Sequence, residues 1–144
     1  VASIGMQIIL AIQDILTDPA MSTVAAEDVR TDPISPADLN SGTAINIELG
    51  DEPPPNLLVI GFKDRDVEVT LTFMAIGPTA VSDVDAVMVE AHAKLFADAT
   101  LGGLCFDINE LGTIRQNAAN GKRLAVIEKT YSVNYRTSET TMDS

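Results

Sequence analysis

The chain has no tryptophan, one cysteine, one histidine and nine basic residues among its 144 residues. A single cysteine excludes an internal disulfide and a cysteine-based zinc site. Cys105 sits in an apolar run and reads as a small core residue. Two Tyr and four Phe leave the core to aliphatic side chains, with no platform for stacking bases or sugar rings. Nine bases against twenty-one acids give a formal charge of −12. Wrapping nucleic acid needs Lys/Arg clusters that displace counterions, and the densest basic run, Lys122-Arg123, is only a pair beside a turn. The apolar stretch from Ile8 to Ile12 is too short to cross a bilayer and is followed by Gln13 and Asp14. These absences lead us to expect a chain kept in a reducing, soluble compartment. Acidity ordinarily serves solubility; the alternative is a surface that must not adhere to DNA.

What is present organises as one domain over residues 1–137 with a polar tail at 138–144, expected to be mobile. In residues 3–17, Ile4, Ile8, Ile12, Ile15 and Leu16 recur at helical spacing, and Asp18-Pro19 ends the helix. Residues 19–43, with three prolines and little periodicity, read as a surface loop with a brief strand around Val29. Ile45, Ile47 and Leu49 alternate with Asn46 and Glu48, the pattern of a half-buried strand. A stiff loop, Asp51-Glu52-Pro53-Pro54-Pro55-Asn56, follows. Strands are expected at 57–62 and, most clearly, at 65–76, where Val67, Val69, Leu71 and Phe73 share a face. The second helix is expected from Ser82, with Asp85 in a capping-box-like position, and its buried stripe is Val84, Val87, Met88, Ala91 and Leu95. An extended stretch at 105–116, a hairpin signal at Asn120-Gly121 and a long final strand at 123–136 complete the order. Helices covering one face of a mainly antiparallel sheet make an α+β fold.

No residue set points to catalysis, a cofactor or a metal. His92 has no second histidine or cysteine at ligand spacing and reads as a partly exposed helix residue. The acidic pairs Asp51/Glu52, Asp64/Asp66 and Asp83/Asp85 lack the aromatic cleft of a glycosidase and read as turn and helix-start residues. The turn Leu101-Gly102-Gly103-Leu104 lacks the lysine of a phosphate loop.

Three segments carry a family likeness: Ala44-Ile45-Asn46-Ile47-Glu48-Leu49-Gly50-Asp51-Glu52; Asp98 to Leu104 with its Thr100-Leu101-Gly102-Gly103-Leu104 turn; and Tyr131-Ser132-Val133-Asn134-Tyr135-Arg136-Thr137. In this order, after an N-terminal helix and with a strand introduced by Arg65, the chain resembles the tail terminator (tail-completion) proteins of long-tailed bacteriophages over residues 3–137. Gly42-Thr43 stands where that pattern has Leu-Pro.

The resemblance implies a structural virion protein and not an enzyme. It implies a homohexameric ring that caps the tail tube, stops its polymerisation and meets the head-completion (connector) protein. DNA passes through the central hole without specific binding, and assembly takes place in the host cytoplasm. Asp51 and Glu52, on a proline-stiffened loop without a nearby base, are the candidate lumen or ring-partner contacts. Two other readings fit the size and charge: a head-completion or stopper protein of the neck, and a small acidic ligand-binding domain or enzyme.

Overall fold

The computed structural model describes residues 4–18, 21–24, 28–31, 42–50, 56–59, 62–97, 107–119 and 123–138. The element order is α1 (Ile4–Thr17), β1 (Val29–Arg30), β2 (Thr43–Leu49), β3 (Asn56–Val59), β4 (Phe62–Ile76), α2 (Ala80–Phe96), β5 (Asp107–Ala119) and β6 (Arg123–Ser138). The strands form one sheet in the order β1-β2-β4-β6-β5, with β3 pairing the same edge of β4 as β2 but further along it. Every pairing is antiparallel except that of β1 with β2. The α+β architecture expected from the pattern is thus the one observed.

Alternation explains the layering. Along β4 the odd positions Val67, Val69, Leu71 and Phe73 are essentially inaccessible, and on β6 the odd positions Ala125, Ile127, Tyr131, Val133 and Tyr135 lie opposite or beside them. Both rows face the helices. Helix α2 lies against β6, β4 and β2, while α1 lies against α2, β2 and β1. The α1 stripe that buries Ile8, Ile12 and Leu16 also buries Ile9, so the apolar face is broader than the spacing alone suggested. On α2 the buried residues Val84, Val87, Ala91 and Leu95 are those expected, with Met88 at the margin.

Four local readings are corrected. Helix α2 begins at Ala80 and not at Ser82. Gly77, at φ 129, turns the chain out of β4, its carbonyl accepts from the Ala80 amide, and Thr79 occupies the cap position. The Thr79 hydroxyl donates to the Asp83 carboxylate at 2.8 Å and the Ser82 hydroxyl to the Thr79 carbonyl, so no Ser82–Asp85 box forms. The stretch 19–43 is more than a surface loop: Met21, Val24 and Val29 enter the core, and Asp28 is fully buried. Strand β2 is not simply half-buried, because Asn46 is only 4% exposed whereas Leu49, near the end of its ladder, is 43% exposed. Strand β6 takes in Ser138, the first residue assigned to the tail. The rest of that tail, the 98–106 turn with Cys105, the Asn120-Gly121 hairpin and the prolines at 53–55 lie outside the described residues.

Candidate functional site

Asp51 and Glu52 lie outside the described residues. The described side chains of the other acidic pairs are engaged within the fold. Asp66 accepts from the Asn134 amide at 2.9 Å, Asp83 from Thr79, and Asp85 faces Arg115 at 3.4 Å. Among the described residues no group of three or more His, Cys, Asp or Glu could hold a metal ion, and no helix is long and apolar enough to cross a membrane.

The structure instead gathers a cluster between α2 and the β5–β6 hairpin. Helix α2 covers β6 but leaves β5 beyond its shoulder, and an open groove of about 310 Å³ runs there. Met88, Val89, His92 and Ala93 form its helical wall, and Glu110 and Lys129 lie on the sheet side. Lys129 occupies the core-facing phase of β6 between Ile127 and Tyr131 and is 7% exposed. A buried ammonium needs a counter-charge and hydrogen-bond acceptors. Glu110 of β5 supplies the first, Thr113 accepts a further bond at 3.2 Å, and the Tyr131 ring lies 6.0 Å beneath the nitrogen. The Lys129 hydrogen bond, outweighing the opposing cost of desolvation, holds the Glu110 carboxyl below its ordinary range; the charges of Lys129 and His92 add to this.

Tyr131 is buried, and its hydroxyl lies 3.0 Å from His92 Nδ1. Burial, and secondarily the Glu110 charge, push the phenol well above its ordinary value, so it remains protonated. The Phe96 ring completes the group, 4.6 Å from His92 and 6.0 Å from Tyr131 between centroids. Lys129, Glu110, Thr113, Tyr131 and His92 thus satisfy one another. Their chemistry is that of a neutralised floor under an apolar wall, suited to receiving apolar surface.

Beside the groove, β5 is an edge strand. Its register slips at Leu111, between Glu110 and Gly112; Leu111 is 54% exposed, and Ile114, opposite Glu128 on the helix-free face, is 56% exposed. Helix α2 exposes Val89 of this wall and, two turns before it, Val81, at 57% and 61%. The sequence held a signal for the buried lysine: position 129 falls in phase with Ile127, Tyr131 and Val133 on an alternating strand. For Glu90 it held none. That carboxylate accepts from the amides and hydroxyls of both Ser22 and Thr23, across nearly half the chain.

No protein-family model and no curated protein matches the chain.

Proposed function

We propose that this protein is a structural component of a phage virion, acting as a tail terminator: a homohexameric ring that caps the tail tube, halts its growth and joins it to the head connector. The observation that carries this reading is the contrast between the two faces of the sheet. One face is sealed by helices. On the other, β4 and β6 present Asp66, Glu68 and Glu128 among Thr70, Thr72, Thr130 and Ser132, with Met74, Ile76, Leu124 and Val126 at one end and no Lys or Arg among the described side chains turned to that face. Lys129, the described base of β6, is turned to the helices and paired there. The carboxylates and hydroxyls along most of this face repel phosphate, as a channel for a moving genome requires. The formal charge of −12 extends that repulsion to the whole subunit.

The order of the sequence landmarks supports the same reading, and the exposed apolar groove suits a protein whose work is done by interfaces. The test is the mass in solution together with negative-stain images. A six-fold ring with a central hole, able to arrest polymerisation of the tube protein encoded with it, is the expected result. A chain that stays monomeric at every concentration and leaves tube growth unchanged would refute it. A ring that binds head connectors without arresting tubes would reassign it to the neck as a completion or stopper protein.

A further inference from the structure

We propose that the groove between α2 and β5 is filled by helix α1 of a second copy, so that subunits join head to tail along their edges. The inference rests on the ring reading above and names the contact that would build it.

Two apolar surfaces lie at opposite ends of the strand order. At one end, Asp85 and His92 sit seven residues apart on one flank of α2 and reach Arg115 of β5 and Tyr131 of β6. That flank therefore looks over β5, and it carries Met88, Val89 and Phe96. The opposite flank carries Glu90, which reaches back to Ser22 and Thr23. At the other end, Met6, Leu10 and Gln13 form one stripe on α1 at i, i+4 and i+7. The Gln13 amide donates to the Val29 carbonyl at 3.0 Å, so this stripe looks towards β1. Met6 and Leu10 are 41% and 42% exposed, while Ala11 and Ile15 pack into the core.

Within one chain these surfaces cannot meet, because the width of the sheet separates β1 from β5. Between copies they are complementary. A contact that pairs two different patches of one chain propagates, and it closes into a ring when the rotation allows.

Charge selects the same partner. Copies carrying −12 each repel one another except where they meet through neutral surface. Helix α1 has one formal charge, Asp14, and no acid in its first turn or base in its last. The charges beside the groove occur as the pairs Lys129–Glu110 and Arg115–Asp85. The unpaired carboxylates Glu68 and Glu128 lie on the other sheet face, away from this contact.

The experiment uses the full chain carrying Cys105→Ser, with Leu10→Cys and Val89→Cys introduced singly and together, and a short bis-maleimide as the probe. Far-UV circular dichroism and melting curves establish that each variant folds. The two single-cysteine proteins should cross-link to each other only when mixed, and the double variant should give a ladder ending at the mass of the closed assembly. Cross-linking within either single-cysteine preparation would show a two-fold contact and overturn the proposal. An oligomer of established mass without the 10–89 bridge would overturn it while leaving the ring intact. A chain that never oligomerises would remove both.

Discussion

The Glu90 carboxylate accepts two hydrogen bonds from Thr23, 3.1 Å from its amide and 2.7 Å from its hydroxyl, and two more from Ser22. One side chain of α2 thereby fixes the segment that links α1 to the edge of the sheet. Burial alone would raise this carboxyl, but the hydroxyl and amide bonds outweigh it and bring it from 4.5 to about 2. A folded value below the unfolded one means that the stabilisation is complete above pH 4.5 and is lost as pH falls from there towards 2. Solvent screening at this partly exposed site trims the contribution to about 1 kcal/mol. Glu90→Gln should lower stability by that amount at pH 7 and flatten the acid limb of the stability curve, as read by urea denaturation at pH 7 and pH 3.

Phe73 is fully buried near the C-terminal end of β4, opposite Ile45 on one side and Ile127 on the other. Phe73→Ala should cost about 3–5 kcal/mol through lost transfer energy and the cavity left behind. The check is a fall in the urea midpoint with an unchanged denaturant slope.

Lys129 and Glu110 should not be equivalent as targets. Glu110→Gln leaves a buried ammonium without its counter-charge, whereas Lys129→Met replaces it with apolar volume. Stability at neutral pH should therefore fall more for Glu110→Gln than for Lys129→Met, and the double variant should resemble Lys129→Met. A double-mutant cycle of urea midpoints measures this. Because the folded Glu110 carboxyl is depressed, the pair's contribution is present above the ordinary carboxylate range and disappears as pH falls through and below it.

Asn46 is buried on the helix-free face and its Oδ1 has no hydrogen-bond partner, although its amide donates to Glu48 at 2.9 Å. An unsatisfied buried acceptor is costly, and a β-branched residue suits a central strand. Asn46→Val should leave stability unchanged or raise it by about 1 kcal/mol. Thermal melting decides the sign.

Glu68 and Glu128 occupy the helix-free face, and charge reversal there changes little in a solvent-facing sheet. Glu68→Lys with Glu128→Lys should melt close to the parent. If that face lines a DNA channel, the variant should also retain DNA in a salt-sensitive manner, visible as a filter-binding curve that collapses with added salt. Normal ejection with no salt-dependent retention would separate this face from the lumen.

What the sequence disclosed follows from periodicity. The spacing of Ile8, Ile12 and Leu16 and the alternation from Val67 to Phe73 report burial directly, so the boundaries of α1 and the face of β4 were legible. Residues 44–49 were legible as a strand but not as one buried on both faces from Ala44 to Ile47, since burial of Asn46 depends on elements brought in from elsewhere. The expected start of α2 differs from the observed one because the actual cap, Thr79, has Ser82 and not an acid three residues on, whereas Ser82 has Asp85 at the capping-box spacing. The parallel β1–β2 pairing, the Glu90 tether and the Lys129–Glu110 pair join residues far apart in the chain, and no local pattern specifies such contacts. The groove inherits that opacity, because it exists only where α2 stops short of covering β5.

The placement of β6 between β4 and β5 has a consequence for how the molecule is made. Its ladder with β4 pairs Ile76 with Leu124 and Phe62 with Ser138, so the centre of the sheet is closed by the strand translated last among those described. Until β6 emerges from the ribosome, one edge of β4 and the part of α2 that lies on β6 have nothing to pack against. Such non-local closure folds slowly and leaves an unpaired strand open to wrong partners. It also imposes an order on assembly. The groove needs β6 for its lysine and its tyrosine, so a nascent subunit cannot accept a neighbour before its own fold is finished.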